Sequence, residues 1–262
     1  MSNRSLLIIT IVLLSIIAIS LIVFLVLAIT GNDSFFSIGG FQNNENNIIF
    51  EESYEEVLVN GFELKSEAGD ISIQTSEDEK IKIVVYGKNQ EDVNVSFNEG
   101  NLKIDVKQPH RFINFGMYIN NVTVYIPQNY SKEFNIIANY GDIDIGSFEN
   151  SIMNVENDCG DIKIVSAKNT TVKNHYGDIK IENVLNKCDI ENNCGNIKIQ
   201  NLDIKEDSTI ESDLGDIKVE KTSDIYIDAK VDLGDIKINE NNRHSNITLK
   251  VKNNCGDIKV NH

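Results

Sequence analysis

Positive charge is scarce in this 262-residue chain: 24 Lys and Arg stand against 40 Asp and Glu, a formal net charge of −16. Residues 1–30 hold one of the 24 and none of the 40, so the remainder carries 23 basic against 40 acidic residues, or −17. Such a body repels phosphate polymers, so nucleic acid is not expected as a partner unless a local patch or a bridging cation intervenes. Metal-ligand spacing is missing too. Neither Cys-x-x-Cys nor a close His pair occurs among the four Cys and four His, so the common zinc sites are excluded. There is no His-Glu-x-x-His and no Gly-rich phosphate loop. His110, His175, His244 and His262 have no Ser, Cys or carboxylate constellation that the sequence can place beside them. No catalytic, cofactor-binding or metal-binding residue is assigned, and the protein is not expected to be an enzyme.

What the chain does have is a repeated phrase. Gly-Asp/Asn-Ile-(Lys/Asp)-Ile/Val starts at Gly141, Gly160, Gly177, Gly195, Gly215, Gly234 and Gly256, with steps of 19, 17, 18, 20, 19 and 22 residues. A step of about 19 residues is that of one coil of a solenoid. Two and four residues after each Gly stand apolar residues, such as Ile162 and Ile164 or Ile179 and Ile181, the period of a strand with one buried face. Five residues before each Gly lie Ile136, Val155, Val172, Ile190, Ile210, Ala229 and Val251, marking a second strand. Asx pairs between them, such as Asn157-Asp158 and Asn192-Asn193, supply a tight corner with the Gly that follows. Each coil reads strand, corner, strand, corner, and stacking buries a continuous core. The expected fold class is all-β, a β-solenoid of about 19-residue coils, preceded by an N-terminal transmembrane helix.

That helix is read from Leu6 to Thr30, 25 residues without a charge, Gly or Pro. A hydrocarbon core needs about 20, whereas a cleaved signal peptide, the alternative, has an apolar region of only about 7–15 residues and a small-residue cleavage site. Arg4 precedes the span and acidic residues follow it, so the N-terminus is expected in the cytoplasm and the body outside. The domain reading is residues 1–30 as anchor, 31–56 as a polar stalk of low order, 57–130 as an irregular β opening that caps the solenoid, and 131–262 as regular repeats. In the opening the phrase recurs in degenerate form as Gly69-Asp70-Ile71-Ser72-Ile73 and Gly100-Asn101-Leu102-Lys103-Ile104.

The run Val122-Thr123-Val124-Tyr125-Ile126-Pro127, followed by recurring Gly-Asp-Ile units behind a membrane segment, resembles the bacterial putative-adhesin domains of unknown function. The resemblance covers roughly residues 57–262. It implies a β-solenoid ectodomain, and some members of that family resemble components of Lia-type cell-envelope-stress systems. It carries over no catalytic residue.

Two features admit more than one reading. Cys159, Cys194 and Cys255 occupy the position before Gly, filled elsewhere by Tyr140, Tyr176, Leu214 and Leu233, and are read as core positions holding buried free thiols; a disulfide or a metal site is the other reading. Cys159 and Cys194 would lie two coils apart and Cys194 and Cys255 three, beyond the roughly 7 Å Cα limit of a disulfide. The Asp after each Gly (Asp142, Asp161, Asp178, Asp216, Asp235, Asp257) is read as hydrogen-bonding the corner backbone, with a divalent-cation ladder as the alternative.

The function expected is an anchored, extracytoplasmic, non-catalytic surface contact, adhesin-like or structural. A regulatory partner in envelope-stress signalling and a polysaccharide-active β-helix enzyme are the rival classes. Partners are membrane lipid through residues 6–30 and a protein or cell-envelope polymer. Weak end-to-end self-association is expected through the last Gly-Asp-Ile-Lys-Val strand, read as the uncovered end of the stack.

Overall fold

A computed structural model describes residues 42–43, 47–108 and 118–262. The expected membrane span, residues 6–30, lies outside the described residues; among those described no helix is long and apolar enough to cross a membrane. The chain divides into two units, Met1–Gln42 with Arg111–Met117 and Asn43–His110 with Tyr118–His262, and the second holds every repeat.

The second unit is all β, and its repeats form parallel ladders. In the ladder after each Gly corner, Ile143 and Ile145 align with Ile162 and Ile164, and these with Ile179 and Ile181, coil after coil. All six are at most 1 % exposed. The ladder before the corner stacks Phe134, Met153, Thr170 and Cys188 in one inward column and Ile136, Val155, Val172 and Ile190 in the next. Alternation along each strand sends one set inward and the other to solvent, so every coil adds an apolar layer that its neighbours cover. The second bend of each coil is not a loop throughout. Ile143–Cys159, Ile162–Tyr176 and Ile179–Cys194 are single strands that run from one corner to the next, with the register shifting between Phe148 and Ile152 and between Ala167 and Asn169. Bulges of this kind bend a strand without ending it.

Space and sequence order the coils differently at both ends of the stack. At the start, Gly61–Ser66 pairs with Glu133–Tyr140 on one side and with Asn101–Val106 on the other, so the later segment lies outside the earlier one. Gly100 therefore does not open a post-corner strand, as its phrase led one to expect. With Glu99 at φ 53° and Gly100 at φ 81° it forms the turn between Val93–Asn98 and Asn101–Val106, an antiparallel hairpin. Lys80–Tyr86 runs antiparallel to Asn121–Pro127, and Ile48–Glu55 antiparallel to Lys80–Tyr86, so this end finishes in antiparallel strands. Ile48–Glu55 and the two-residue strand Gln42–Asn43 fall inside the segment read as a stalk, and Lys80 and Lys82 pair with Glu55 and Glu51 across the antiparallel strands. An aromatic cluster fills the core nearby, with Phe134 4.9 Å from Tyr130 and 5.0 Å from Phe148 between ring centroids. Burial of Tyr130 pushes its hydroxyl pKa well up.

At the other end, the last segment of the chain is interior. Thr248–Cys255 pairs with both Ser208–Leu214 and Tyr226–Leu233, and Ile258–Val260 pairs with both Ile217–Thr222 and Ile236–Ile238. The expectation that Ile258–Val260 is the uncovered edge is corrected: Val260 is fully buried, and the outermost coil is Tyr226–Ile238.

Candidate interaction surface

Each corner turns on a glycine at positive φ, where any side chain would be strained. Gly160 has φ +140°, and a Cβ on it would lie 2.0 Å from the carbonyl oxygen of Gly141 in the next coil. Asn157, Asn174, Asn192 and Asn253 point inward there and donate from Nδ2 to the carbonyls of Gly141, Gly160, Gly177 and Gly215. Outside the corner, the Asp residues form a ladder of their own. The N–H of Asp142 donates to Oδ1 of Asp70, that of Asp161 to Asp142, that of Asp178 to Asp161 and that of Asn196 to Asp178. Asp216, Asp257 and Asp235 continue it at 2.9–3.0 Å. One oxygen of each side chain from Asp70 to Asp257 is thus committed to backbone, while Asp235 at the end of the ladder only donates its N–H. Among the described residues no group of His, Cys, Asp or Glu is arranged to hold a metal ion.

Between the two inward Ile positions lies an outward column: Asp144, Lys163, Lys180, Lys198, Lys218, Lys259 and Lys237 in spatial order. Its like charges are relieved by acids beside them. Lys163 lies 3.6 Å from Asp144, and Glu220 bridges Lys198 and Lys218 at 3.0 Å each. Those two ammonium groups hold the Glu220 carboxyl below its ordinary pKa.

The residue before each Gly forms the third column. Tyr140, Cys159, Tyr176, Cys194, Leu214, Cys255 and Leu233 are register neighbours along the whole regular stack. They are outside. Tyr140, Tyr176, Leu214 and Leu233 are 61, 63, 52 and 70 % exposed, and Cys159, Cys194 and Cys255 are exposed free thiols. The reading of this position as core is corrected, and the corner explains why. Strict alternation from buried Asn157 would turn Cys159 inward, but the chain must rotate ahead of a glycine at positive φ, and both Asp158 and Cys159 face solvent. Because the last coil is interior, Cys194 and Cys255 are two coils apart rather than three, with Leu214 between them. A separation of about 9.6 Å still exceeds what a disulfide spans. Only Cys188 is buried, and its burial pushes the thiol pKa far up.

At a strand spacing of about 4.8 Å this apolar ridge runs for about 29 Å. Exposed polar columns border it: the mainly acidic one of Asp142, Asp161, Asp178 and Asp216 on one side, and on the other a mixed one in which Asp158, Asp213 and Asp232 are interspersed with Asn and His. His175 stands in the second border with Nδ1 2.9 Å from Oδ1 of Asp158, so this His is a surface corner residue. The sequence held one signal for the ridge: its positions mix Tyr, Leu and Cys, a residue set with no demand for one buried shape.

A parallel β stack with a glycine corner and outward columns repeated coil after coil is a repeat scaffold. The chain belongs to the Toastrack DUF4097 family, whose sequence model matches residues 59–262. Among solved structures, a putative adhesin from Bacteroides fragilis is similar at 16 % identity, with 84 % of this chain and 99 % of that one covered and a TM-score of 0.49. A putative cell adhesion protein from Clostridium sporogenes is 13 % identical, covering 81 and 98 %, with a TM-score of 0.37. A putative lipid binding protein from Parabacteroides distasonis is 11 % identical, covering 84 and 100 %, with a TM-score of 0.44. No curated protein matches the chain.

Proposed function

We propose that residues 6–30 anchor the protein in the cell membrane with the N-terminus inside, and that the body works outside as a non-catalytic contact module. The exposed ridge from Tyr140 to Leu233 carries this reading. A line of large apolar side chains held open to water along a rigid ladder loses free energy unless a partner covers it. Its net-acidic borders select the partner's chemistry: an apolar strip flanked by positive charge, on a protein or on a cell-envelope polymer. The rigidity of the stack supports the same reading, because a contact line fixed by backbone ladders binds without first being ordered.

Serine at Tyr140, Tyr176, Leu214 and Leu233 together removes the ridge without touching the core. Cells carrying this variant of the full chain should retain the protein in their membranes, with its body cleaved by protease added to wall-stripped cells, yet lose attachment to neighbouring cells or coated surfaces. Attachment equal to that of the wild type overturns the ridge as the contact line, and a protease-protected body overturns the topology.

A further inference from the structure

The end coil Tyr226–Ile238 has neighbours on one side only. Among the described residues, Tyr226–Leu233 pairs with Thr248–Cys255 and Ile236–Ile238 with Ile258–Val260, and no strand lies beyond either. The opposite end of the unit is finished by antiparallel strands, so the two ends are not equivalent. Apolar side chains that are buried in every inner coil are partly open here: Ile236 is 42 % exposed where its ladder neighbour Ile258 is 1 %.

One part of this edge is already closed. Asn241 donates from Nδ2 to the Ile227 carbonyl at 2.8 Å and accepts the Ile227 N–H on Oδ1 at 2.9 Å, while the Asn242 N–H donates to the Ile225 carbonyl. The segment after the coil thus folds over the edge as far as Ile227. Since Ile227 turns both backbone groups outward, alternation turns those of Ala229 and Val231 outward as well. The open edge runs from Asp228 to the N–H of Leu233, whose carbonyl is already taken by the Gly256 N–H, and its middle is near Val231.

We propose that this edge pairs with the same edge of a second copy, antiparallel about a two-fold axis at Val231. In that register Val231 exchanges both backbone hydrogen bonds with its counterpart, Ala229 faces Leu233, and Lys230 faces Asp232 twice, once in each direction. Shifting the axis to residue 230 would instead oppose two lysines. The pair Lys230 and Asp232 is therefore complementary to itself about Val231, while Asp228 faces Gly234. Within one chain Lys230 lies 3.0 Å from Asp232, but its ladder neighbour is Lys252, and a second Asp232 would offset that like charge. A two-fold pairing is closed, which makes the product a dimer and not a fibre. One strand pair buries little area, so the dimer is weak. This inference does not depend on the ridge or on the topology proposed above.

The experiment is sedimentation of the full chain in detergent across concentration at physiological salt. The wild type should show a monomer–dimer equilibrium. Lys230→Glu alone sets the introduced acid against Asp232 of the other copy, and Asp232→Lys alone sets the introduced base against Lys230 of the other copy; each should weaken self-association about ten-fold or more. Mixed in equal amounts, the two variants face each other with opposite charges at both contacts and should recover dimerisation as a heterodimer. Both side chains are exposed, so folding is not at stake. A wild type that is monomeric at every concentration overturns the proposal and leaves the edge to a strand of different protein origin. Association that is indifferent to both variants, or that does not return on mixing, overturns it too.

Discussion

The carbonyl of Leu233 accepts the N–H of Gly256 at 2.9 Å, so a residue earlier in the chain lies beyond a later one in the stack. The ladder of corners reads Gly69, Gly141, Gly160, Gly177, Gly195, Gly215, Gly256 and then Gly234, each within a Cβ's reach of its neighbour's carbonyl. The chain passes over the position beside Ser208–Leu214, builds the outer coil, and returns to fill the gap with Thr248–Val260. Because each filled position gives every backbone group of the inner coil a partner, the return secures the core while leaving the earlier coil as the edge.

Position specificity along the Ile-x-Ile phrase is the first expectation. Ile179 is fully buried between two ladders of its own kind, and Ile179→Asp would place an unpaired carboxylate there. Its neighbour Lys180 faces solvent. Denaturant unfolding should find Ile179→Asp unfolded or severely destabilised and Lys180→Gln within about 0.5 kcal/mol of the wild type. Equal losses would mean that the two faces have been exchanged.

The buried columns were legible because an Ile two residues from an Ile, repeated in every coil, has one geometric solution. The Asp ladder was legible for a related reason: Asx after Gly offers an oxygen to the backbone of the next coil wherever the step is regular. Coil order was not. Ile236, Ile258 and Ile217 present the same phrase to any neighbour, so the interior degeneracy of the repeat hides which coil ends the stack. Gly100 shows the same limit, since its letters match the corner phrase while Glu99 and the strand before it make a hairpin. The exposed ridge was missed because a positive-φ glycine breaks the alternation on which inward and outward assignment rests.

Corner glycines should resist even the smallest side chain. At Gly177, with φ +138°, an added Cβ would lie 2.1 Å from the Gly160 carbonyl oxygen, and both are ladder backbone that cannot yield. Gly177→Ala should cost at least about 2 kcal/mol. Gly146 lies outside the positive-φ set and its added Cβ would lie 3.3 Å from the Ile73 carbonyl oxygen, so Gly146→Ala should cost clearly less. Thermal unfolding of the two variants side by side decides the matter, and a neutral Gly177→Ala would refute the corner geometry.

Asp161 both donates its N–H to Asp142 and accepts the Asp178 N–H on its side chain. What the ladder needs from the side chain is an acceptor, not a charge, as Asn196 at the equivalent position demonstrates by accepting from Asp216. Asp161→Asn should leave stability unchanged or slightly raised, because one like charge leaves the column, while Asp161→Ala should cost about 1 kcal/mol. Calcium added at millimolar concentration should not raise the unfolding temperature of the wild type. A calcium-dependent rise abolished by Asp161→Asn would restore the cation ladder.

Acid should weaken the capped end. Glu63 accepts from Lys103 on the neighbouring strand at 3.0 Å and from Lys65 at 3.1 Å, and these contacts, led by that with Lys103, hold its pKa below the ordinary 4.5. A depressed carboxylate stabilises the fold fully above its unfolded value and loses that contribution as the pH falls through the folded one. The effect therefore appears below about pH 4.5. Glu63→Gln should flatten that part of the stability–pH curve and leave the curve above pH 6 parallel to the wild type. An unchanged acid limb would mean that the two lysines do not act on Glu63 in solution.

Thiol chemistry separates the ridge from the core within one molecule. Cys159, Cys194 and Cys255 are exposed, each flanked along the ridge by residues that leave it open, and Cys188 is fully buried with its pKa pushed up by desolvation. Thiolate is the reactive form, so access and ionisation act in the same direction. In the reduced, folded full chain, a thiol reagent should modify the three ridge cysteines and leave Cys188, which should react only after denaturant is added. Peptide mapping identifies the sites. Because about 9.6 Å separates successive ridge thiols, mild oxidation should link copies to one another and never close a bond within one copy. A protein that shows no free thiol until it unfolds would put the ridge back in the core and remove the surface on which the proposed contact rests. A protein whose Cys188 reacts as fast as Cys194 would instead show that the stack opens between Thr170 and Ser208, the column neighbours that cover it.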